Sequence, residues 1–121
     1  MVTRFIPGDR YQGPPGIMHG GLVTTLADEV GAWALVGLLG KFGFTTHIAG
    51  TLRRPVRIGV EVVGRSWIAK DSRRVVRVGV DLAQEGSSSF AAELTFVLLD
   101  RGGAERLLGK EVPESWLKFC R

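Results

Sequence analysis

Residues 22–39 run LVTTLADEVGAWALVGLL, eighteen positions in which only Asp28 and Glu29 carry charge. Helical amphipathicity here is weak because the apolar residues nearly encircle the axis. Leu22, Leu26, Val30 and Trp33 mark one face, and Val23, Ala27, Ala34 and Leu38 widen it, which predicts burial on most sides. Gly40 follows as a stop signal with Lys41 just beyond, so a helix is expected over 21–39. A membrane span is the competing reading. The length is borderline, and a mid-span Asp-Glu pair is expensive there; a strand-rich remainder offers the helix a better burial site. Two adjacent carboxylates in such a run lose hydration unless something compensates or uses them. A desolvated carboxylate is also what acid–base chemistry draws on.

With 121 residues, 45% apolar and 23% charged, the chain is expected to form one domain over 1–121. Arg4, Pro7, Gly8, Asp9 and Arg10 interrupt any apolar start, so no signal-peptide pattern opens it and a cytoplasmic location is the default expectation. The single cysteine, Cys120, allows no intrachain disulfide. His19 and His47 are the only histidines, too few for a dedicated zinc site. The net charge of +4 concentrates at Arg53-Arg54-Pro55-Val56-Arg57 and Lys70-Asp71-Ser72-Arg73-Arg74. Such clusters are either solvated surface or phosphate-binding sites. No aromatic reader motif or recognition helix accompanies them, so nucleic acid is not an expected partner.

Residues 1–18 are rich in Gly and Pro and read as a loop. Four strands are expected over 45–54, 60–70, 75–83 and 90–99. The third alternates cleanly, with Val76, Val78, Val80 and Leu82 on one face. The fourth places Phe90, Ala92, Leu94, Phe96 and Leu98 on one face. Turn signals at Ile58-Gly59, Lys70-Asp71-Ser72 and Gln84-Glu85-Gly86-Ser87 suit antiparallel hairpins. Residues 101–121 read as a tail, with a short helix starting near Pro113. The class is α+β, an antiparallel sheet wrapped around one helix. Its outer face and edges still need cover, which points to an oligomer.

Gly20 and Gly21 stand where the helix begins. First-turn N–H groups lack intrahelical partners, and the helix dipole adds partial positive charge. Such a terminus can bind a developing oxyanion, or Gly-Gly can simply make a tight turn. Asp28 lies eight residues on, roughly 12 Å along the axis. One reacting carbonyl cannot easily touch both within a single chain. Two antiparallel copies of the helix, related by a two-fold axis, would set Gly20 of one protomer opposite Asp28 of the other. Glu29 projects about 100° away from Asp28, and spacing alone does not rank the two acids. His19 is either a base or, better suited to its position, a structural hydrogen-bonding group. No G-x-S-x-G elbow, P-loop or G-x-G-x-x-G is present.

The segment Gly13-Pro14-Pro15-Gly16-Ile17-Met18-His19-Gly20-Gly21, followed by Leu26-Ala27-Asp28-Glu29, resembles hotdog-fold acyl-CoA thioesterases of the phenylacetate-degradation (PaaI-like) type. Thr45…Arg54-Pro55…Gly59 resembles that family's strand after the helix, so the likeness covers about 10–100. It implies the hotdog fold, a homodimer with a continuous sheet, often a homotetramer, and thioester hydrolysis without metal or other cofactor. It assigns to Asp28 the role of nucleophile or general base. The Gly20 N–H, from the other protomer, becomes the group that polarises the thioester carbonyl, and Thr45 a hydroxyl assisting the water. Family members carry an asparagine six residues before the histidine. Here that position is Gly13, with Gln12 beside it, so either Gln12 substitutes or the role is lost.

Acyl-CoA hydrolysis is therefore the expected activity, with Arg54, Arg73 and Arg74 as candidates for the coenzyme A phosphates. A non-catalytic acyl-CoA sensor is the alternative, and liberation of free thiol separates the two. A dehydratase or isomerase of the same fold is a third reading; it would need a differently placed Asp-His pair.

Overall fold

A computed structural model describes residues 1–120. Strand β1 (Val2–Phe5) is followed by the long helix α1 (Gly20–Leu39), then by β2 (Gly43–Leu52), β3 (Val62–Ser72), β4 (Val75–Gln84) and β5 (Ser87–Leu98). Helix α2 (Arg101–Leu108) follows β5, and short 3-10 turns lie at Asp9–Tyr11 and Glu114–Phe119. The five strands form one antiparallel sheet in the order β1-β3-β4-β5-β2. Helix α1 packs against β2, β3, β4 and β5. This is the hotdog architecture.

The alternation expected in β4 and β5 sets the core. Val76, Val78, Val80 and Leu82 are fully buried, as are Leu94 and Phe96, against Val23, Ala27, Val30, Ala34 and Leu35 of the helix. Gly31 belongs to the same contact: a Cβ there would sit 3.3 Å from the Leu94 side chain. Both ends of α1 carry the expected stops. His19 is the N-cap, and Gly40 takes the left-handed conformation (φ 65°) at the C-cap.

The structure corrects four expectations. Helix α1 is not buried on most sides: it packs one face into the sheet and leaves Trp33 and Leu38 exposed. Its apolar girdle exceeds what a single five-stranded sheet covers. Residues 1–18 are not all loop, since Val2–Phe5 pairs with Val62–Arg65 of β3. Lys70-Asp71-Ser72 lies within β3 and does not turn; Ser72 pairs with Val75, so Arg73-Arg74 is the hairpin tip. The 101–121 segment holds a second helix, capped by Asp100, whose carboxylate accepts from the Gly103 N–H, and stopped by Gly109 at φ 70°. The short turn beginning after Pro113 is present.

The β4–β5 hairpin turns at Glu85-Gly86, both at positive φ (50° and 79°). That pair of dihedrals fits a two-residue turn whose twist matches the strands.

Candidate active site

The head of α1 is built from residues 11–19. Gln12 pairs with Met18 in an isolated bridge, the His19 N–H donates to the Tyr11 carbonyl, and the Met18 N–H donates to the Val56 carbonyl. These bonds hold the loop against the sheet and aim the first helical turn outward. The Gly21 N–H donates to His19 Nδ1 at 3.0 Å, and the Leu22 and Val23 N–H groups both reach the His19 carbonyl. His19 therefore caps the helix. Of the first helical amides, the Gly20 N–H alone has no hydrogen-bond partner among the described residues. Gly20 is exposed, and a Cβ there would meet nothing within 4 Å. An open amide at the positive end of a 20-residue helix is suited to an oxyanion.

Asp28 lies on the flank of α1 that faces β2. Thr45 Oγ1 donates to Asp28 Oδ1 at 2.8 Å, with both side chains part-buried. A hydrogen bond to a charged acceptor contributes about 1.5–3 kcal/mol and orients it. Glu29, the competing acid, points elsewhere: its Oε1 accepts from the Trp33 indole at 3.1 Å on the exposed face. Gly20 and Asp28 remain about 12 Å apart along one helix.

Gln12 Oε1 accepts from the Gly16 N–H at 2.8 Å and so closes its own loop. Gly13 packs tightly behind the helix head, where a Cβ would lie 3.2 Å from the His19 Cα. Arg54 lines a cavity of about 650 Å³ with Arg57, Ile17, Gln84, Ser87 and Ser89. The Ile17–Arg57 bridge places this cavity at the same end of the molecule as Gly20. Arg73 and Arg74 are not with it. The Arg54 N–H bonds to Ser89 and the Arg74 carbonyl to Leu98, at opposite ends of β5. Nine residues of strand separate them by roughly 30 Å. Among the described residues no cluster of His, Cys, Asp and Glu could hold a metal ion.

Two features of the site were not read from the sequence. One is the Thr45 to Asp28 hydrogen bond itself, which joins residues 17 positions apart. The other is Gln84, 4% exposed, whose amide accepts from the Arg57 N–H and donates to the Arg57 and Val60 carbonyls at 2.9–3.0 Å. It fixes the loop that carries Arg54 and Arg57. The alternation of Val76, Val78, Val80 and Leu82 runs on to Gln84 and sets a polar side chain on the core-facing side, a signal missed because the expected strand stops at residue 83.

The thioesterase superfamily model matches residues 15–91, which contain Gly20, Asp28, Thr45 and Arg54. The chain belongs to the thioesterase superfamily. Within the thioesterases it is 28% identical over 99 residues to acyl-coenzyme A thioesterase THEM4 of Xenopus laevis, covering 82% of this chain and 44% of that protein. It is 30% identical over 79 residues to acyl-coenzyme A thioesterase 13 of Mus musculus, covering 64% and 56%. The chain thus spans about half the length of these curated relatives. Its fold is similar to that of a thioesterase described as a phenylacetic acid degradation-related protein from Ralstonia eutropha. The TM-score is 0.74 at 24% identity, over 80% of this chain and 74% of that one. Helix α2 and the 114–119 turn fall outside the segment that matches the superfamily model.

Proposed function

We infer that the protein hydrolyses acyl-CoA thioesters at two composite sites of a homodimer. The observation that carries this reading is the pairing of two unlike groups on one helix: an unpartnered amide at its head and a Thr-held carboxylate on its flank. The names of the two curated relatives, both acyl-coenzyme A thioesterases, support the substrate class.

The dimer follows from the spacing. A two-fold axis passing near Thr24 brings Gly20 of one protomer opposite Asp28 of the other. Strand β2 offers the matching contact. It is an edge strand, bonded only to β5, and nearly all of it is exposed, including Phe44, Ile48 and Leu52. An edge this long and this apolar invites a second strand, and antiparallel pairing of two β2 strands sets the two α1 helices antiparallel. A dimer of dimers through the outer sheet face, where Trp67 is half-exposed, would give a homotetramer.

In such a site the thioester carbonyl accepts from the Gly20 N–H, which stabilises the negative charge that develops on its oxygen. Asp28 of the other protomer either attacks the carbonyl carbon or takes a proton from the attacking water. Thr45 holds the carboxylate in place. Coenzyme A leaves as the thiol. Arg54, joined by Arg57, would meet the phosphates at the Gly20 end. Arg73 and Arg74, far away in one chain, come nearer to the partner's Arg54 when β2 strands pair antiparallel. Coenzyme A is part of the substrate, and no cofactor or metal is invoked. A cytoplasmic setting suits this substrate.

Gly13 favours a second reading. Where the family places an asparagine, this chain has no side chain, and Gln12 is occupied by the loop. A sensor would bind acyl-CoA and liberate no thiol. Thiol release measured across a range of acyl-CoAs decides between the readings: turnover that falls with Asp28→Asn supports the hydrolase, and saturable binding without any thiol discards it.

A further inference from the structure

Beyond Asp28, α1 borders a groove whose C-terminal wall, Trp116 and Phe119, lies outside the superfamily match. Trp33 and Val36 of the helix, Phe42 before β2, and Trp116 and Phe119 of the C-terminal turn enclose about 360 Å³. The tail is pinned there. The Phe42 N–H donates to the Phe119 carbonyl at 3.0 Å, Lys41 Nζ to the Cys120 carbonyl at 3.2 Å, and the Phe42 and Trp116 rings meet edge to face at 6.1 Å. Even so, Trp33 and Trp116 remain 59% and 48% exposed, facing the groove without filling it. Every lining side chain is apolar, and the Trp33 indole N–H is already engaged by Glu29.

The groove adjoins the candidate site. Asp28, Ala32 and Val36 form one i, i+4 row on the helix, spanning about 12 Å. The middle residue is only an alanine, which leaves a shallow path. Phe42 stands three residues before Thr45, the partner of Asp28, so both chain segments leading away from the carboxylate end in the groove.

We propose that this groove, walled on one side by the C-terminal turn, receives the distal part of the acyl chain and makes the protein selective for uncharged acyl groups of medium length. The proposal rests on the acyl-CoA reading and adds to it a substrate class and a selector element. A cavity of about 150 Å³ accepts a six-carbon ring, so this one suits a chain of roughly eight to twelve carbons. A terminal carboxylate would enter it unpaired, at a desolvation cost.

The test compares decanoyl-CoA with acetyl-CoA. In a hydrophobic pocket each methylene changes discrimination by about tenfold or more, so the wild-type ratio of kcat/KM should favour decanoyl-CoA by at least roughly that factor. Trp116→Ala should lower the ratio about tenfold. Val36→Trp, which fills the groove from the helix side and leaves the tail's own residues unchanged, should lower it in the same direction. A ratio unchanged in both variants overturns the proposal. So does dissociation of the oligomer in both, read by light scattering, because the groove is then a subunit contact. Binding is read separately from turnover, by quenching of tryptophan fluorescence with the non-hydrolysable decyl-CoA thioether against its ethyl counterpart. If no acyl-CoA releases thiol, hydrolysis fails, and the groove still stands or falls on whether the decyl compound binds more tightly than the ethyl one.

Discussion

At the residue scale the site reduces to one amide and one carboxylate. Asp28→Asn keeps the shape and the contact with Thr45 but removes the charge. Thiol release should fall by roughly 10²-fold or more, with an unchanged circular dichroism spectrum and melting point. Gly20→Pro is the sharper test. Proline is tolerated at the first helical position because its missing N–H has no intrahelical partner anyway. The preceding residue, His19, already has the extended dihedrals that proline demands (φ −57°, ψ 130°), and the space around a Gly20 Cβ is open. The substitution therefore deletes the candidate oxyanion donor and little else. We expect kcat to drop about 10²–10³-fold while the protein melts within a few degrees of wild type. Gly20→Ala, which retains the N–H, should stay well above the proline variant. A proline variant that turns over as fast as the alanine one would remove Gly20 from the mechanism. Asp28 stood out in the sequence because acids are rare in apolar helices, whereas Gly20 was marked only by its place at the head of one, where Gly-Gly can equally make a tight turn. The Asp28–Thr45 hydrogen bond was not legible, since it depends on how β2 returns along the helix.

At the element scale, the proposed dimer rests on the edge strand β2. Lysines at Ala49 and Thr51 would bring like charges together across an antiparallel β2–β2 contact, where an axis at Gly50 sets each opposite the other, and like charges opposite one another destabilise pairing. The double variant should run as a monomer in size-exclusion chromatography with light scattering, and thiol release should vanish with the dimer. A fully active monomer would refute the composite site. The β4–β5 turn makes a separate claim about stability. Gly86→Val places a β-branched residue at φ 79°, and the left-handed conformation should cost about 1–2 kcal/mol in urea unfolding. The elements themselves were unevenly readable. Strands β4 and β5 announce themselves by alternation over 76–82 and 90–98, whereas β3 has no such pattern and is marked by the turn signals at its ends. Strand β1 has four residues and is stabilised by its neighbour β3, so its local signal is weak. Helix α2 hides behind two glycines, Gly102 and Gly103, and is held instead by its Asp100 cap and the Arg101–Glu105 pair at 3.0 Å.

At the scale of the whole molecule, one layer of helix on one sheet leaves a single core and apolar surface uncovered. Leu94 is fully buried between β4 and α1, in contact with Gly31. Leu94→Ala should destabilise by about 2–5 kcal/mol through lost transfer energy and the cavity left behind, read as a lower urea midpoint. The uncovered surfaces include the exposed side of α1, the edge at β2 and the outer sheet face around Trp67. Hydrophobic periodicity, glycine stops and the placement of two acids determined the helix, most of the sheet and the candidate chemistry, because those depend on residues close in sequence. Tertiary structure alone decided which face of α1 is covered, that Thr45 holds Asp28, that Arg54 lies far from Arg73 and Arg74, and that the C-terminal turn borders a groove. Each of these is a contact between distant segments, and its energy depends on where the chain has been brought in space.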